Sequence, residues 1–340
     1  MSEDDDIPHP RDTAELFGHA EVEQTLLNAY RGGHIAHAWL IGGPRGIGKA
    51  TLAYRMARFV LANPDPASPA VQKATSLAVS PDHPAARRIS NEAHPDLLVL
   101  QRTINEKTGK LYQDIIVDEI RRAVPFFGST AGEGGWRVAI VDCVEELNRS
   151  GENSLLKILE EPPPRSLLML VSNAPGRVLP TIRSRCRLLA LRPLSGRDTA
   201  QAVAATTGRA AEEPEVIEAI AAANGSVGRV LGLLDEDTLA LRKKIVDLLG
   251  QLPNPDPQAM HVLGDALGFS DPAPLATFVE LVNDWLSQRL ESSGGKPQMA
   301  RIAETWERIN GAARNVEEYN LERKPLVFAV FGLLTEAARA

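Results

Sequence analysis

Three features of this 340-residue chain predict a parallel α/β core followed by all-helical segments. Five apolar runs, near residues 38–41, 97–100, 136–142, 167–171 and 187–191, alternate with helix-forming stretches, as strands covered on both faces do. The first run opens into a glycine-rich loop and then a helix. After Pro193 no strand pattern remains, only helical spacing to the C-terminus. The division expected from these features is a core over 1–192, a small helical segment over 193–250 and a larger one over 251–340.

Composition bounds the rest. The chain is 44% hydrophobic and 24% charged, ordinary for a globular protein. A net charge of −7 argues against a broad nucleic-acid-binding face, though not against a local basic strip. Two distant cysteines, Cys143 and Cys186, exclude a disulfide framework and fit a reducing cytoplasm. Glu3-Asp4-Asp5-Asp6 is the opposite of a signal peptide and reads as a solvated tail, and no run is long enough to span a membrane.

In order, the spacing predicts an irregular lead-in from Pro10 to His19 and a helix from about Glu21 to Arg31, closed by Gly32-Gly33. The loop strand follows, then a crossover helix over Leu52–Leu61. A Pro-, Ala- and Ser-rich stretch from Asn63 to about Pro84 has no clear period and reads as a surface excursion. Leu97–Leu100 is a short buried strand, and Thr103–Lys110 is turn-like. Asp118 starts a helix carrying Ile120, Val124 and Phe127, and Trp136–Asp142 is a strand. A helix over Ser154–Glu161 is stopped by Pro162-Pro163-Pro164. Strands over Leu167–Val171 and Arg187–Leu191 complete the core. Ser195-Gly196-Arg197-Asp198 is a capping-box candidate. In the last segment, Leu275, Phe278, Val282, Trp285 and Leu286 line one helix face; Ile302, Trp306 and Ile309 line the next.

Gly43-x-x-Gly46-x-Gly48-Lys49 has the spacing of a phosphate-binding loop: glycines turn backbone N–H groups inward and the lysine reaches the outer phosphates. The next position normally supplies a hydroxyl to Mg²⁺, and here it is Ala50. Thr51 is turned about 100° away and does not obviously replace it. Asp142 ends a strand where such ATPases place the acid that supports Mg²⁺. Its neighbour, where an acid would orient water, is Cys143, and a thiol is a poor base for that task. Asn173, just past a strand, is placed either to sense a nucleotide or as an ordinary loop residue. Arg183, Arg185 and Arg187 form a basic cluster with two open readings: a solvated turn, or an arginine aimed at another subunit's γ-phosphate.

Asn153-Ser154-Leu155-Leu156-Lys157-Ile158-Leu159-Glu160-Glu161-Pro162-Pro163, followed by Ser184-Arg185-Cys186, resembles the signature of clamp-loader subunits of the AAA+ family, of the bacterial DNA polymerase III kind. The resemblance runs from Leu16-Phe17-Gly18-His19 and His37-Ala38-Trp39-Leu40 to Asn320-Leu321-Glu322-Arg323-Lys324. It implies an AAA+ core, a helical lid and a helical collar within a five-subunit ring that places a sliding clamp on primed DNA. It further implies that the motor subunits (γ/τ) and the δ subunit are the partners. One rigid member of that family lends the arginine of its Ser-Arg-Cys segment to a motor's ATP site, a role that maps to Arg185. Gly43, Gly46, Gly48, Lys49, Thr51, Asp142 and Asn173 then form a degenerate nucleotide site. No cofactor is required, weak ATP or ADP binding stays open, and no ATPase activity is expected of the chain alone. Many relatives carry four cysteines for zinc after the first core helix. The corresponding stretch here has none, and His83 and His94 alone cannot make a four-ligand site, so no metal is expected. Gly225-Ser226-Val227-Gly228-Arg229 resembles the motors' second sensor segment, with Gly228 in the arginine's place. Two other readings are an autonomous AAA+ ATPase (a motor subunit or a helicase loader, with Glu145 as base) and a DNA-binding module.

Overall fold

The computed structural model describes residues 9–105, 112, 114–128, 132, 135–268, 272–291, 296–319 and 321–339. The acidic Glu3–Asp6 tip, most of the 103–110 turn and Asn320 lie outside them. The chain forms two compact units, Met1–Leu231 and Gly232–Ala340.

The first unit opens with α1 (Ala20–Arg31), β1 (Ala38–Gly42) and α2 (Lys49–Ala62). Next come two short helices, α3 (Pro69–Lys73) and α4 (Pro84–Ser90), then β2 (Leu97–Leu100). The expected featureless excursion is therefore partly helical, and local signals explain it. Each helix has Pro at its first turn, and each has a side-chain cap: Ser68 accepts from the Val71 N–H, and His83 Nδ1 accepts from the Ala85 N–H. His94 Nδ1 likewise accepts from the Asp96 N–H, so both imidazoles serve the backbone.

A pair of short helices follows, α5 (Val117–Arg121) and α6 (Ala123–Gly128). The apolar spacing predicts one continuous helix here, but Pro125 has no N–H to offer the Arg121 carbonyl, so the helix breaks. Ile120 and Phe127 are buried, but Val124 is 56% exposed, a correction to the expected stripe. Then come β3 (Arg137–Val141), α7 (Arg149–Glu160), β4 (Ser166–Ser172), α8 (Pro180–Arg183) and β5 (Arg187–Ala190). α7 begins five residues before the Ser154 start read from the sequence, because the Asn148 side chain caps it at the Gly151 N–H, 2.8 Å away.

Among the described residues, the five strands form one parallel sheet in the order β2-β3-β4-β1-β5. Strand alternation divides its apolar side chains between two faces. Trp39, Ile41, Val138, Ile140, Leu167 and Met169 pack with α1 and α2; Ala38, Leu40, Ala139, Val141, Leu168 and Leu170 pack with α5, α6 and α7. Each fully buried large side chain contributes about 1.5–3 kcal/mol, so the β1 strand at the sheet interior anchors the loop that leaves its end.

Three helices close the first unit: α9 (Gly196–Thr207), α10 (Pro214–Ala222) and α11 (Val227–Leu234), whose last residues begin the second. Ser195 caps α9 as expected, accepting from the Asp198 N–H, while its hydroxyl donates to the Asp198 carboxylate at 2.7 Å. The second unit is helical: α12 (Glu236–Gly250), α13 (Pro257–Ala266), α14 (Pro272–Glu291), α15 (Lys296–Glu318) and α16 (Arg323–Arg339). Leu241, Ile245 and Leu248 of α12 join Leu275, Phe278, Val282 and Leu286 of α14 in its core. Ile302 and Ile309 are buried there too, but Trp306 is 46% exposed rather than part of the stripe. It sits about 40° round α15 from Ile302, on the solvent edge. Among the described residues no helix is long and apolar enough to cross a membrane.

Candidate functional site

The loop after β1 is shaped by contacts that exclude side chains. A Cβ on Gly43 would lie 2.6 Å from the Leu191 carbonyl oxygen. Gly46 has φ +75°, and a Cβ there would lie 2.4 Å from Ser226 Oγ. Gly48 then caps α2 in the left-handed region, and Lys49 is its first residue. This strand–loop–helix places the backbone N–H groups of an uncapped helix start at the end of β1.

The loop is gripped from two sides. His19, buried, has Nε2 2.7 Å from the Ile47 carbonyl oxygen, to which it donates. Burial lowers its pKa, and the Ile47 carbonyl opposes that shift. From the other side, Ser226 donates to the Arg45 carbonyl at 2.9 Å, and the Gly228 N–H donates to the Gly46 carbonyl at 2.9 Å. Gly228 therefore meets the loop backbone to backbone. A Cβ at Gly228 would lie 3.0 Å from Gly46 Cα, a contact tight enough to require the loop to move.

A cavity of about 560 Å³ opens beside the loop. Its walls include Gly46, Gly48, Lys49, Ala50 and Thr51 from the loop and α2, Asp142 and Cys143 from the end of β3, and Asn173 from the end of β4. All of these were singled out from the sequence, and they share one cavity; Gly43 shapes the loop from behind. Lys49 is only 4% exposed, and its Nζ donates to the Pro44 carbonyl, folding back on the loop that presents it. Burial lowers its pKa to about 8, against the raising effect of Cys143, Asp142 and Glu145.

The groups around Asp142 form a hydrogen-bonded corner of the cavity. Asp142 itself lies just beyond β3, its N–H donating to the Leu100 carbonyl. Cys143 has φ +57°, a left-handed conformation that is unusual for a non-glycine residue. Its thiol lies 3.8 Å from Asp142 Oδ1, to which it donates, and it accepts from Asn173 Nδ2 at 3.1 Å. Burial, followed by the Asp142, Glu146 and Glu145 carboxylates, pushes the thiol up to about 12. Glu145 Oε1 accepts from the N–H groups of Asn173 and Ala174 at 2.8 and 3.2 Å, which ties this carboxylate to the exit of β4. Glu146 lines the cavity and pairs with Arg102 at 2.8 Å. Burial raises its pKa, partly offset by Arg102.

Arg185 stands apart, at the junction between α8 and β5, the edge strand of the sheet. Its side chain is 36% exposed and pairs with Glu160 at 2.8 Å. Of its neighbours, Arg187 lies over the Trp39 ring, 5.2 Å from its centroid. The Glu160 pairing, the His19 and Arg45 carbonyl contacts that grip the loop and the Arg102–Glu146 pair were not anticipated; His19, Arg45 and Glu160 lie within the quoted motifs, whereas nothing local marks Arg102.

The family described as "DNA polymerase III, delta subunit" matches residues 18–195, just over half of the chain and the whole sheet. The chain belongs to that family. DNA polymerase III subunit delta' of Pseudomonas aeruginosa is 37% identical over 151 residues, 44% of this chain and 42% of that protein. The gamma/tau subunit of Mycobacterium bovis is 30% identical over 291 residues, 81% of this chain and 46% of that protein. The chain therefore spans less than half the length of these curated relatives. Among solved structures, a DNA polymerase III gamma subunit-related protein of Thermotoga maritima superposes with a TM-score of 0.50 at 16% identity, covering 92% of this chain and 99% of that one. The likeness is one of fold: an AAA+ α/β core with helical additions. The matched residues contain the whole sheet and the loop described above.

Proposed function

We propose that the chain is the δ′-type, non-hydrolysing subunit of the DNA polymerase III clamp loader, which lends Arg185 to the ATP site of a neighbouring motor subunit. The two kinds of relative divide between this reading and that of a motor, so the site has to decide. The observation that carries the proposal is the state of the Asp142–Cys143 corner. Hydrolysis in such ATPases uses a carboxylate base directly after the acid that Asp142 represents, and a hydroxyl for Mg²⁺. Here a neutral thiol held by Asn173 stands in the first position, and Ala50 in the second.

Glu145, the base that an autonomous ATPase would need, spends Oε1 on two backbone N–H groups, keeps Oε2 buried, and stands outside the cavity lining. The loop is complete enough for weak ATP or ADP binding, with Lys49 as its cation, and needs no zinc or other cofactor. Arg185 lies outside the cavity wall, partly exposed on the edge of the sheet. That placement supports a role in trans. Its partners in this reading are the γ/τ motors and the δ subunit, with the clamp and primed DNA reached through the assembled ring in the cytoplasm.

The test is a clamp loader reconstituted with Arg185→Ala. The site that Arg185 serves loses on the order of 10³-fold in turnover, as removal of a trans arginine does, and clamp- and DNA-stimulated ATPase falls by that site's share. Unchanged stimulated ATPase would remove the trans role.

A further inference from the structure

The Arg185 guanidinium is already ordered before any neighbour arrives. Nη2 donates to Glu160 Oε1 at 2.8 Å, and Nη1 donates to the Thr181 carbonyl at 2.9 Å. Both acceptors stand on fixed backbone. Glu160 is the last residue of α7, whose Leu155, Ile158 and Leu159 are buried in the same core as Ile182 of α8. Thr181 belongs to α8 itself. From Pro162 to Arg197 the sequence carries seven arginines and no Lys, Asp or Glu, so the carboxylate that meets Arg185 is brought in from α7. Glu161 is a poor substitute: it is the C-cap residue, with φ −125° and ψ 68°, and leaves the helix.

We propose that Glu160 is a positioning residue for Arg185. It fixes the guanidinium plane so that the N–H groups not used by Glu160, Thr181 and the Ser184 hydroxyl are presented to an anion of the phosphoryl class on the neighbouring subunit. This rests on the trans-arginine reading above. The pair is too exposed to act as a brake: side chains 36% and 51% accessible form ion pairs worth little in water, and a triphosphate outcompetes such a carboxylate. Ordering matters more, because a free arginine gives up most of its rotamer freedom on docking. Glu160 removes part of that cost in advance.

The experiment measures ATP turnover by the reconstituted loader, with clamp and primed DNA, for Glu160→Ala, Glu160→Gln, Arg185→Ala and the Glu160→Ala/Arg185→Ala double variant, each shown to assemble by gel filtration. Glu160→Ala lowers kcat by up to roughly fivefold, the most that an exposed pair of this kind contributes, and leaves KM for ATP unchanged, since the nucleotide is held by the neighbour. Glu160→Gln, whose amide oxygen still accepts from Nη2, stays within about twofold of the parent, a gap too small to reflect a lost bond. The double variant matches Arg185→Ala. If Arg185→Ala impairs turnover while Glu160→Ala does not, the positioning role is wrong and the trans arginine stands. A Glu160→Ala loss that persists in the Arg185→Ala background also overturns it, as a structural effect. An inert Arg185→Ala overturns the trans reading and the positioning role together.

Discussion

Lys49→Met examines the cradle directly. The wild-type ammonium is buried in a loop built for an anion, and burial holds its pKa near 8 instead of 10.5. A tenfold change in proton affinity is about 1.4 kcal/mol. Keeping the cation in the folded state therefore costs about 3 kcal/mol at neutral pH, an upper bound that solvent screening reduces. The folded pKa lies below the unfolded one, so the sign is fixed. The cost is fully present below pH 8, shrinks between 8 and 10.5, and is absent above that. Methionine fills the same space without the charge, losing one charge-assisted hydrogen bond to the exposed Pro44 carbonyl, worth about 1.5–3 kcal/mol. Lys49→Met therefore stabilises the fold by up to roughly 1.5 kcal/mol at pH 7, with the gain falling as pH approaches 10.5. Urea titrations of both proteins at pH 7 and 10.5, read as the difference between them, measure this. Using the difference removes the alkaline titration of Tyr30 and Tyr54, whose burial raises both pKa values. An equal gain at both pH values, or a loss at pH 7, would refute the argument that a buried cation waits in an anion site.

Other consequences follow from single contacts. Gly46→Ala places a Cβ against Ser226 Oγ at a backbone of φ +75° and destabilises by about 1–3 kcal/mol, visible as a lower urea midpoint with an unchanged m-value. Cys143 is held neutral by burial and carboxylates, so iodoacetamide at pH 8 modifies it far more slowly than free cysteine; modification at the free-cysteine rate would contradict the hydrogen bonding described. Ser195→Ala removes the cap of α9 and costs about 1 kcal/mol, measurable by the same titration.

Much of the fold was legible because burial on both faces leaves a strong imprint. The runs at Leu97–Leu100, Leu167–Val171 and Arg187–Leu191 needed no partner to be recognised, and the β1–loop–α2 unit announced itself by glycine spacing. What escaped depends on distance or on one atom. The Ser226–Arg45 hydrogen bond joins residues 181 positions apart, and no local pattern encodes it. Gly228 read as the loss of a sensor arginine, whereas its close approach to Gly46 gives the glycine a positive reason to be there. Pro125 broke a helix whose apolar spacing looked continuous, and Trp306 had the spacing of a core residue but the exposure of a surface one. At the site, the missing hydroxyl and the cysteine were readable as residue types; that the thiol is clamped between Asp142 and Asn173 was not.

The central claim is that this cavity cannot burn what its loop is shaped to hold. It is tested most directly by steady-state ATP hydrolysis with Mg²⁺ by the purified chain alone, beside its Lys49→Ala variant. The account predicts two indistinguishable traces at background. Brisk turnover by the unmodified chain that disappears in Lys49→Ala would contradict it.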